Sequence, residues 1–295
     1  MDALAPTGAA MATAERPIPI HDRPIRIANN VYWVGYDDPV SRMSCNPYLL
    51  VDQDEAVLID GGSRPDFSTV MRKILQAGVA PSRIHYLIYQ HYDPDLCGSL
   101  PNLEEMIDRA DLKIISKSEN NYFIKHYGCK SVLHCIDAME RRLTLPSGRT
   151  LQFIPTPYAH SAGSFMTWDA QARILFTSDL FGGVSVCGES DQLFLQLPAV
   201  CHTCNHACHQ RQTLQCDQTR QPCPVVGICQ FHRQVMPSCR AVRLALSQVQ
   251  AIDPAIIAPQ HGALFNNPAD ISLVANCLQS MNDIGIDGVL MEHPS

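Results

Sequence analysis

No stretch of the 295-residue chain approaches the roughly 18–20 consecutive apolar residues that a membrane-spanning helix requires, so no membrane partner is expected. The chain also lacks any Lys/Arg-rich run, and its formal net charge is −7. Binding of phosphate backbones needs clustered positive charge, so nucleic acid is not an expected partner either. Residues 1–23 have no apolar core behind a basic start and do not read as a secretion signal. They are rich in Ala, Pro and Thr, which predicts a flexible N-terminal extension and a cytoplasmic protein. No internal repeat is evident from periodicity.

What is present is enough apolar material, 46% of residues, for a large core over residues 24–295. Short strands are predicted at Ile25–Ile27, Val31–Val34, Asn46–Val51 and Ala56–Ile59, the last ending in Asp60-Gly61-Gly62. The spacing of Val70, Ile74 and Leu75 before Gly78 predicts an amphipathic helix over 67–78. A buried strand at Tyr86–Tyr89 follows, then helices at 102–110 and 118–127 around a strand at 112–115. Strands are expected again at 150–154, 174–177 and 255–258, with a helix at 241–252. Strands alternating with helices indicate a layered α/β domain.

Four of these strands end beside residues able to bind a metal. They are His91, Asp93 and Asp95, then His160, then Asp179, then His261. Six imidazoles and carboxylates meeting at one sheet edge would hold two ions, one on His91, Asp93 and His160, the other on Asp95 and His261, with Asp179 bridging. A shared carboxylate is a natural way to keep two cations close. Taken singly, a strand-end His is more often a surface residue, and Asp-Pro-Asp is a good turn; the joint pattern carries the reading.

The pieces His91-Tyr92-Asp93-Pro94-Asp95, Ala159-His160-Ser161-Ala162-Gly163, Ser178-Asp179 and Gln260-His261-Gly262 resemble the metallo-β-lactamase superfamily, whose ligands follow this order. The resemblance runs over about residues 25–281 and is to the di-iron branch, the flavodiiron proteins and related oxygen-binding di-iron proteins. It implies a four-layer αββα sandwich and a non-haem di-iron centre that binds dioxygen, with nitric oxide as an alternative. Hydrolases of the superfamily usually have His where this chain has Asp93; a carboxylate makes the site harder and favours iron over zinc. Leu96 stands where the family usually has a second His, so the second metal is expected to keep an open position near it. Flavodiiron proteins carry a flavodoxin-like domain, yet these 295 residues contain no Gly-rich phosphate loop, so no FMN is expected in this chain. An external electron donor or a signalling partner is expected instead, and a homodimer is an expected assembly. The alternative is a dinuclear zinc hydrolase acting on an ester, thioester or phosphodiester.

Seven of the thirteen cysteines fall between Cys201 and Cys239. An odd number without an export signal points to metal or redox chemistry rather than disulfides. The segment at about 199–230 is Gln-rich, without apolar periodicity, and reads as a Cys-rich insertion. Its C-x2-C-x3-C spacing suits an iron-sulfur cluster on Cys201, Cys204, Cys208 and Cys223, with Cys216 and Cys229 as alternates. Zinc is the competing ion, with His202, His206 and His209 as further donors. Such a cluster would relay electrons to the di-iron centre. Cys45, Cys129, Cys135, Cys187 and Cys277 read as buried small hydrophobes, as does Cys239. Cys97 lies near the ligands, with packing its expected role. Tyr92, Tyr158 and Phe181 flank the ligand turns, either as pocket walls or as core.

Overall fold

In strand β6 (Glu55–Ile59) successive side chains enter different cores. Ala56 and Leu58 join one apolar cluster, Val57 and Ile59 another, and all four are fully buried. A strand alternates faces with a period of two, so this strand lies inside a sheet covered on both sides. The computed structural model describes residues 20–37, 43–184, 193–203 and 223–292.

The first sheet has seven strands. Strand β1 (Ile25–Ala28) pairs with β2 (Val31–Trp33), then come β5 (Tyr48–Asp52), β6, β7 (Ile84–Ile88), β8 (Lys113–Ser116) and β9 (Val132–Cys135). It is antiparallel up to β6 and parallel from β6 to β9. Between β2 and β5 a small ribbon pairs β3 (Tyr36–Asp37) with β4 (Ser44–Cys45). The second sheet runs β10 (Arg142–Thr144), β11 (Thr150–Pro155), β12 (Phe165–Asp169), β13 (Ile174–Phe176) and β14 (Ile256–Ala258), with a single parallel pair, β13 to β14.

Three apolar cores separate four layers. The sheets meet through Trp33, Tyr48, Val57 and Ile88 against Leu151, Phe165 and Phe176. Outside the first sheet, Leu49, Leu58, Leu87 and Ile114 pack on helices α1 (Phe67–Gln76), α3 (Leu100–Ile107) and α4 (Ser118–Ile124), beyond the single turn α2 (Pro94–Cys97). Outside the second sheet, Met166, Leu175 and Ile257 pack on α6 (Pro224–Val235), α7 (Cys239–Ile252) and α8 (Pro268–Ser280), while α5 (Ala199–Thr203) and α9 (Ile286–Glu292) lie to either side in sequence. Each fully buried aliphatic side chain contributes about 1.5–3 kcal/mol by leaving water, which makes three sandwiched cores sufficient to order the strand ends between them. The αββα sandwich expected from the sequence is the observed fold.

Three expectations change. Residues 224–230, read as part of a coreless insertion, belong to helix α6, and Val225, Val226, Ile228, Cys229 and Phe231 are buried. Pro224 opens that helix at a position where its missing N–H costs nothing, and the neighbouring Cys- and Gln-rich composition hid the apolar face. Cys129 and Cys135 are half-buried rather than buried. Residues Ile20–Asp22, assigned to the extension, form a short turn; Arg72 donates to the Asp22 carboxylate at 2.7 Å and the His21 ring meets Trp33 edge-on. Residues 1–19, Cys187, Cys204, Cys208, Cys216, His206 and His209 lie outside the described residues.

Candidate metal centre

Parallel pairing sets the site. Phe176 lies opposite Ala258, so Asp179 and His261 each follow three residues beyond paired positions, and Gln260 N–H donates to Ser178 O at 2.8 Å. Ile59 lies opposite Ile88, which sets His91 three residues beyond β7, with Asp60 beside it. Phe165 N–H donates to Gln90 O at 3.2 Å; this ties the end of β7 to the start of β12 and so to the 156–164 turn that carries His160. Strand ends from both sheets thus converge on one rim.

All six strand-end residues meet there. His160 Nε2 is 3.0 Å from Asp93 Oδ2 and its Nδ1 is 3.4 Å from Asp179 Oδ2. His91 Nε2 lies 3.9 Å from Asp93 and 3.8 Å from Asp179 Oδ1. On the other side His261 Nε2 is 3.1 Å from Asp95 Oδ2 and 3.7 Å from Asp179 Oδ1. Asp179 therefore stands between two groups, as a bridge would. The inner wall is buried, with the Asp179 side chain 3% exposed, whereas Asp93 and Asp95 are 35% and 29% exposed. The rim is reached from the Asp93 and Asp95 side.

Several groups missed in the sequence orient these donors. Ser178 Oγ hydrogen-bonds His91 Nδ1 at 2.8 Å, and Ser44 O accepts from His261 Nδ1 at 2.6 Å. Both imidazoles therefore turn Nε2 inward, an arrangement typical of histidines that ligate metals. The Asp60 carboxylate accepts from Gln90 N–H, and burial pushes its pKa up to about 7 despite the nearby His91. Asp60, Tyr158, Ser178 and Phe181 hold positive φ of 58°, 64°, 54° and 68°, and such strain collects at functional sites. Gly262, at φ 77°, is required for a further reason: a Cβ there would lie 3.0 Å from Gly183 O.

The least expected member is Cys45. Its Sγ lies 3.9 Å from Asp95 Oδ2, and Cys45, Asp95 and His261 present ligand atoms all within 4.8 Å of one another. The sequence signal was only a cysteine between Ser and Asn, which no local pattern separates from a packing residue.

The donor set fits cations. His160 Nδ1 and Asp179 Oδ1 are buried without a hydrogen-bond partner. Three carboxylates converge on imidazole nitrogens, and in the metal-free protein the strain falls on the protons. Burial opposes a charge on His261, yet its hydrogen bonds to Asp95 and Cys45 hold its pKa well above the usual value, while Asp95, though buried, is pulled down to about 2 by that same contact. Burial raises Asp93 and lowers His160. A metal pair would replace these shared protons.

The remaining sequence candidates fall elsewhere. Leu96 is fully buried in the core beneath α3, in the same cluster as Cys45. Tyr92 stacks on Phe123 at 4.2 Å, Phe181 is core against Phe265, and Tyr158 is 58% exposed, so none of the three forms a closed pocket wall. Cys201 is half-buried on α5, Cys223 caps the start of α6 and Cys229 is inside that helix's core face. Among the described residues these three do not come together as a set able to hold an ion. His202 pairs with Asp270 at 2.9 Å. No helix among the described residues is long and apolar enough to cross a membrane.

Comparison with known proteins agrees with the fold. The chain is 27% identical over 170 residues to the anaerobic nitric oxide reductase flavorubredoxin of Pectobacterium carotovorum, covering 54% of this chain and 33% of that protein. It is 29% identical over 171 residues to the flavo-diiron protein FprA2 of Clostridium acetobutylicum, covering 54% and 42%. The chain thus spans less than half the length of these curated relatives. The structure resembles the apo state of chemotaxis sensor ODP from T. denticola, with a TM-score of 0.69 and 24% identity over 91% of this chain and 97% of that one. It also resembles a peroxy diiron species of chemotaxis sensor ODP, with a TM-score of 0.65 and 24% identity over 89% and 94%. A family model described as ODP family beta lactamase matches residues 43–262, well over half of the sequence, and the chain belongs to that family.

Proposed function

We propose that this chain is a non-haem di-iron protein that binds dioxygen or nitric oxide, acting as an oxygen or redox sensor or as a reductase fed by a separate electron donor. The observation that carries the reading is Asp179, a buried carboxylate within 3.4–3.8 Å of His91, His160 and His261. In this reading His91, Asp93 and His160 hold one ion, Asp95 and His261 the other, and Asp179 bridges. Support for iron comes from Asp93, whose hard oxygen donor replaces a superfamily imidazole, and from the relatives named for di-iron centres, nitric oxide reduction and chemotaxis sensing. Two iron ions there would supply paired one-electron carriers and a position for a diatomic ligand.

The residues of the chain do the rest. The Ser44 carbonyl fixes the His261 tautomer by accepting from its Nδ1–H, and Ser178 Oγ holds the orientation of the His91 ring. The buried inner wall strengthens charge interactions at Asp179, and the more exposed Asp93 and Asp95 side would admit a small molecule. Electrons would enter through an iron-sulfur cluster on Cys201, Cys204, Cys208 and Cys223, a reading supported by the C-x2-C-x3-C spacing of the first three. A dinuclear zinc hydrolase is the second reading, favoured by one observation: Cys45, Asp95 and His261 form a donor trio that zinc accepts well.

Metal and acid-labile sulfide content of anaerobically purified protein tests these readings. About two irons per chain beyond those matched by sulfide, with a visible absorption change when oxygen is admitted, is the expected result. Zinc alone, with no optical response to reductant or oxygen, overturns the di-iron reading in favour of the hydrolase.

A further inference from the structure

We infer that Cys45 is a ligand of the second metal ion, its thiolate standing in for the imidazole that Leu96 does not provide. The inference rests on the two-metal reading above. Without Cys45, the second ion would have Asp95, His261 and a share of Asp179, and Leu96 is an aliphatic side chain buried in the core. That leaves three protein groups for the second ion, and Cys45 is a fourth donor within reach, its Sγ, an Asp95 oxygen and a His261 nitrogen all lying within 4.8 Å of one another.

The position of Sγ is built rather than incidental. Both neighbours of Cys45 are clamped onto the loop that carries His261. Ser44 O accepts from His261 Nδ1, and Ser44 Oγ accepts from Gly262 N–H at 2.5 Å. Asn46 N–H donates to Gln260 O at 2.9 Å, and Asn46 Nδ2 donates to Pro259 O and Gly262 O, both at 2.9 Å. Trp33 Nε1 fixes the Asn46 amide from behind at 2.8 Å. A three-residue stretch locked at both ends leaves its central side chain little freedom relative to His261. Cys45 is 5% exposed, so water does not compete for the thiol. Asp179 supplies an independent pointer to a cation: its Oδ1 is buried without a hydrogen-bond partner and lies 3.7 Å from His261 Nε2.

Charge favours the same assignment. Asp93, Asp95 and Asp179 bring three negative charges to a site for two divalent ions, and a thiolate makes the fourth. On binding, the Cys45 S–H bond breaks, a sulfur–metal bond forms and the proton passes to solvent; no electron is transferred. A packing cysteine would instead tolerate any small replacement without consequence for the metals.

Cobalt(II) loading of the metal-free protein tests this for either native metal, because cobalt bound to a thiolate gives an intense near-ultraviolet charge-transfer band. Wild type is compared with Cys45→Ala, Cys45→Ser and Cys45→Ala/Leu96→His, with circular dichroism confirming that each variant folds. The remaining cysteines contribute equally to all four proteins. Expected for Cys45→Ala are a loss of one cobalt per chain and a drop in the band by one thiolate's worth. Cys45→Ser loses the band but keeps part of the metal, because an oxygen donor remains. The imidazole of the double variant restores the second cobalt without restoring the band. If Cys45→Ala binds as much cobalt as wild type with an unchanged band, the inference is overturned while the two-metal reading stands. If wild type itself takes up no second ion at the rim, it is the two-metal reading that fails.

Discussion

Cys45 on the rim and Cys229 in helix α6 are buried alike, 5% and 0% exposed, and burial raises the thiol pKa of each, that of Cys229 up to about 12. Their neighbours differ in kind. Cys45 faces a carboxylate and an imidazole, with clamped residues on either side, whereas Cys229 shares its cluster with Val226, Val242, Leu246 and Val274. Burial therefore does not separate a ligand cysteine from a packing one; the donors around it do. The same contrast extends to the elements. The rim is made of strand ends with strained backbone and crowded charge, while α6 is a regular helix whose buried polar group, His232, is satisfied on both nitrogens. His232 Nδ1 donates to Ile228 O at 2.8 Å, and Nε2 accepts from Phe181 N–H at 3.3 Å.

Substitutions on the two sides should separate cleanly. Asp179→Asn removes the bridging charge and should strip the two rim ions on gel filtration, a loss of about two metals per chain relative to wild type, with the fold retained by circular dichroism; retention of both ions would mean that Asp179 does not bridge. A smaller effect belongs to the α6 side. Burial lowers the His232 pKa from 6.5 to about 4, so between those values the unfolded chain binds the extra proton and the folded one does not. Stability of the metal-free protein should thus fall as pH drops from about 6.5 to about 4, by up to about 3 kcal/mol from this group. Denaturation midpoints across that range should show a shallower slope in His232→Gln, and an identical slope would remove the assignment. Smallest is Cys229→Ala, which should cost about 1 kcal/mol of stability from lost apolar burial and change neither metal content nor the cobalt spectrum. Should Cys229→Ala lose metal as Cys45→Ala is expected to, the distinction between the two cysteines collapses.

The strand-end residues could be read from the chain because each is announced locally. An apolar run such as Tyr86–Tyr89 followed by His91, Asp93 and Asp95 marks both a strand and its exit. Other local signals were present and went unread: Asn267 caps α8 by accepting from Ala269 N–H, just ahead of Pro268 at the first helical position. The strand β12, Phe165–Asp169, is buried nearly throughout, so it lacks the alternation that would have marked it. In the 199–230 segment composition misled, since Cys and Gln obscured the apolar face of α6.

Residue order and local periodicity were enough for the layered class and for the types and order of the candidate ligands along the chain, because strands, turns and their punctuation are short-range properties. Which face each strand presents, and which distant groups complete the rim, was decided only when the sheets stacked. Ser44 and His261 are 217 positions apart, Cys45 and Asp95 are 50 apart, and His91 and Ser178 are 87 apart. None of these pairs shares a local pattern. They are selected by the register of β13 on β14 and of β6 on β7, and by the buried cores that hold both sheets against the cost of gathering so much charge at one edge.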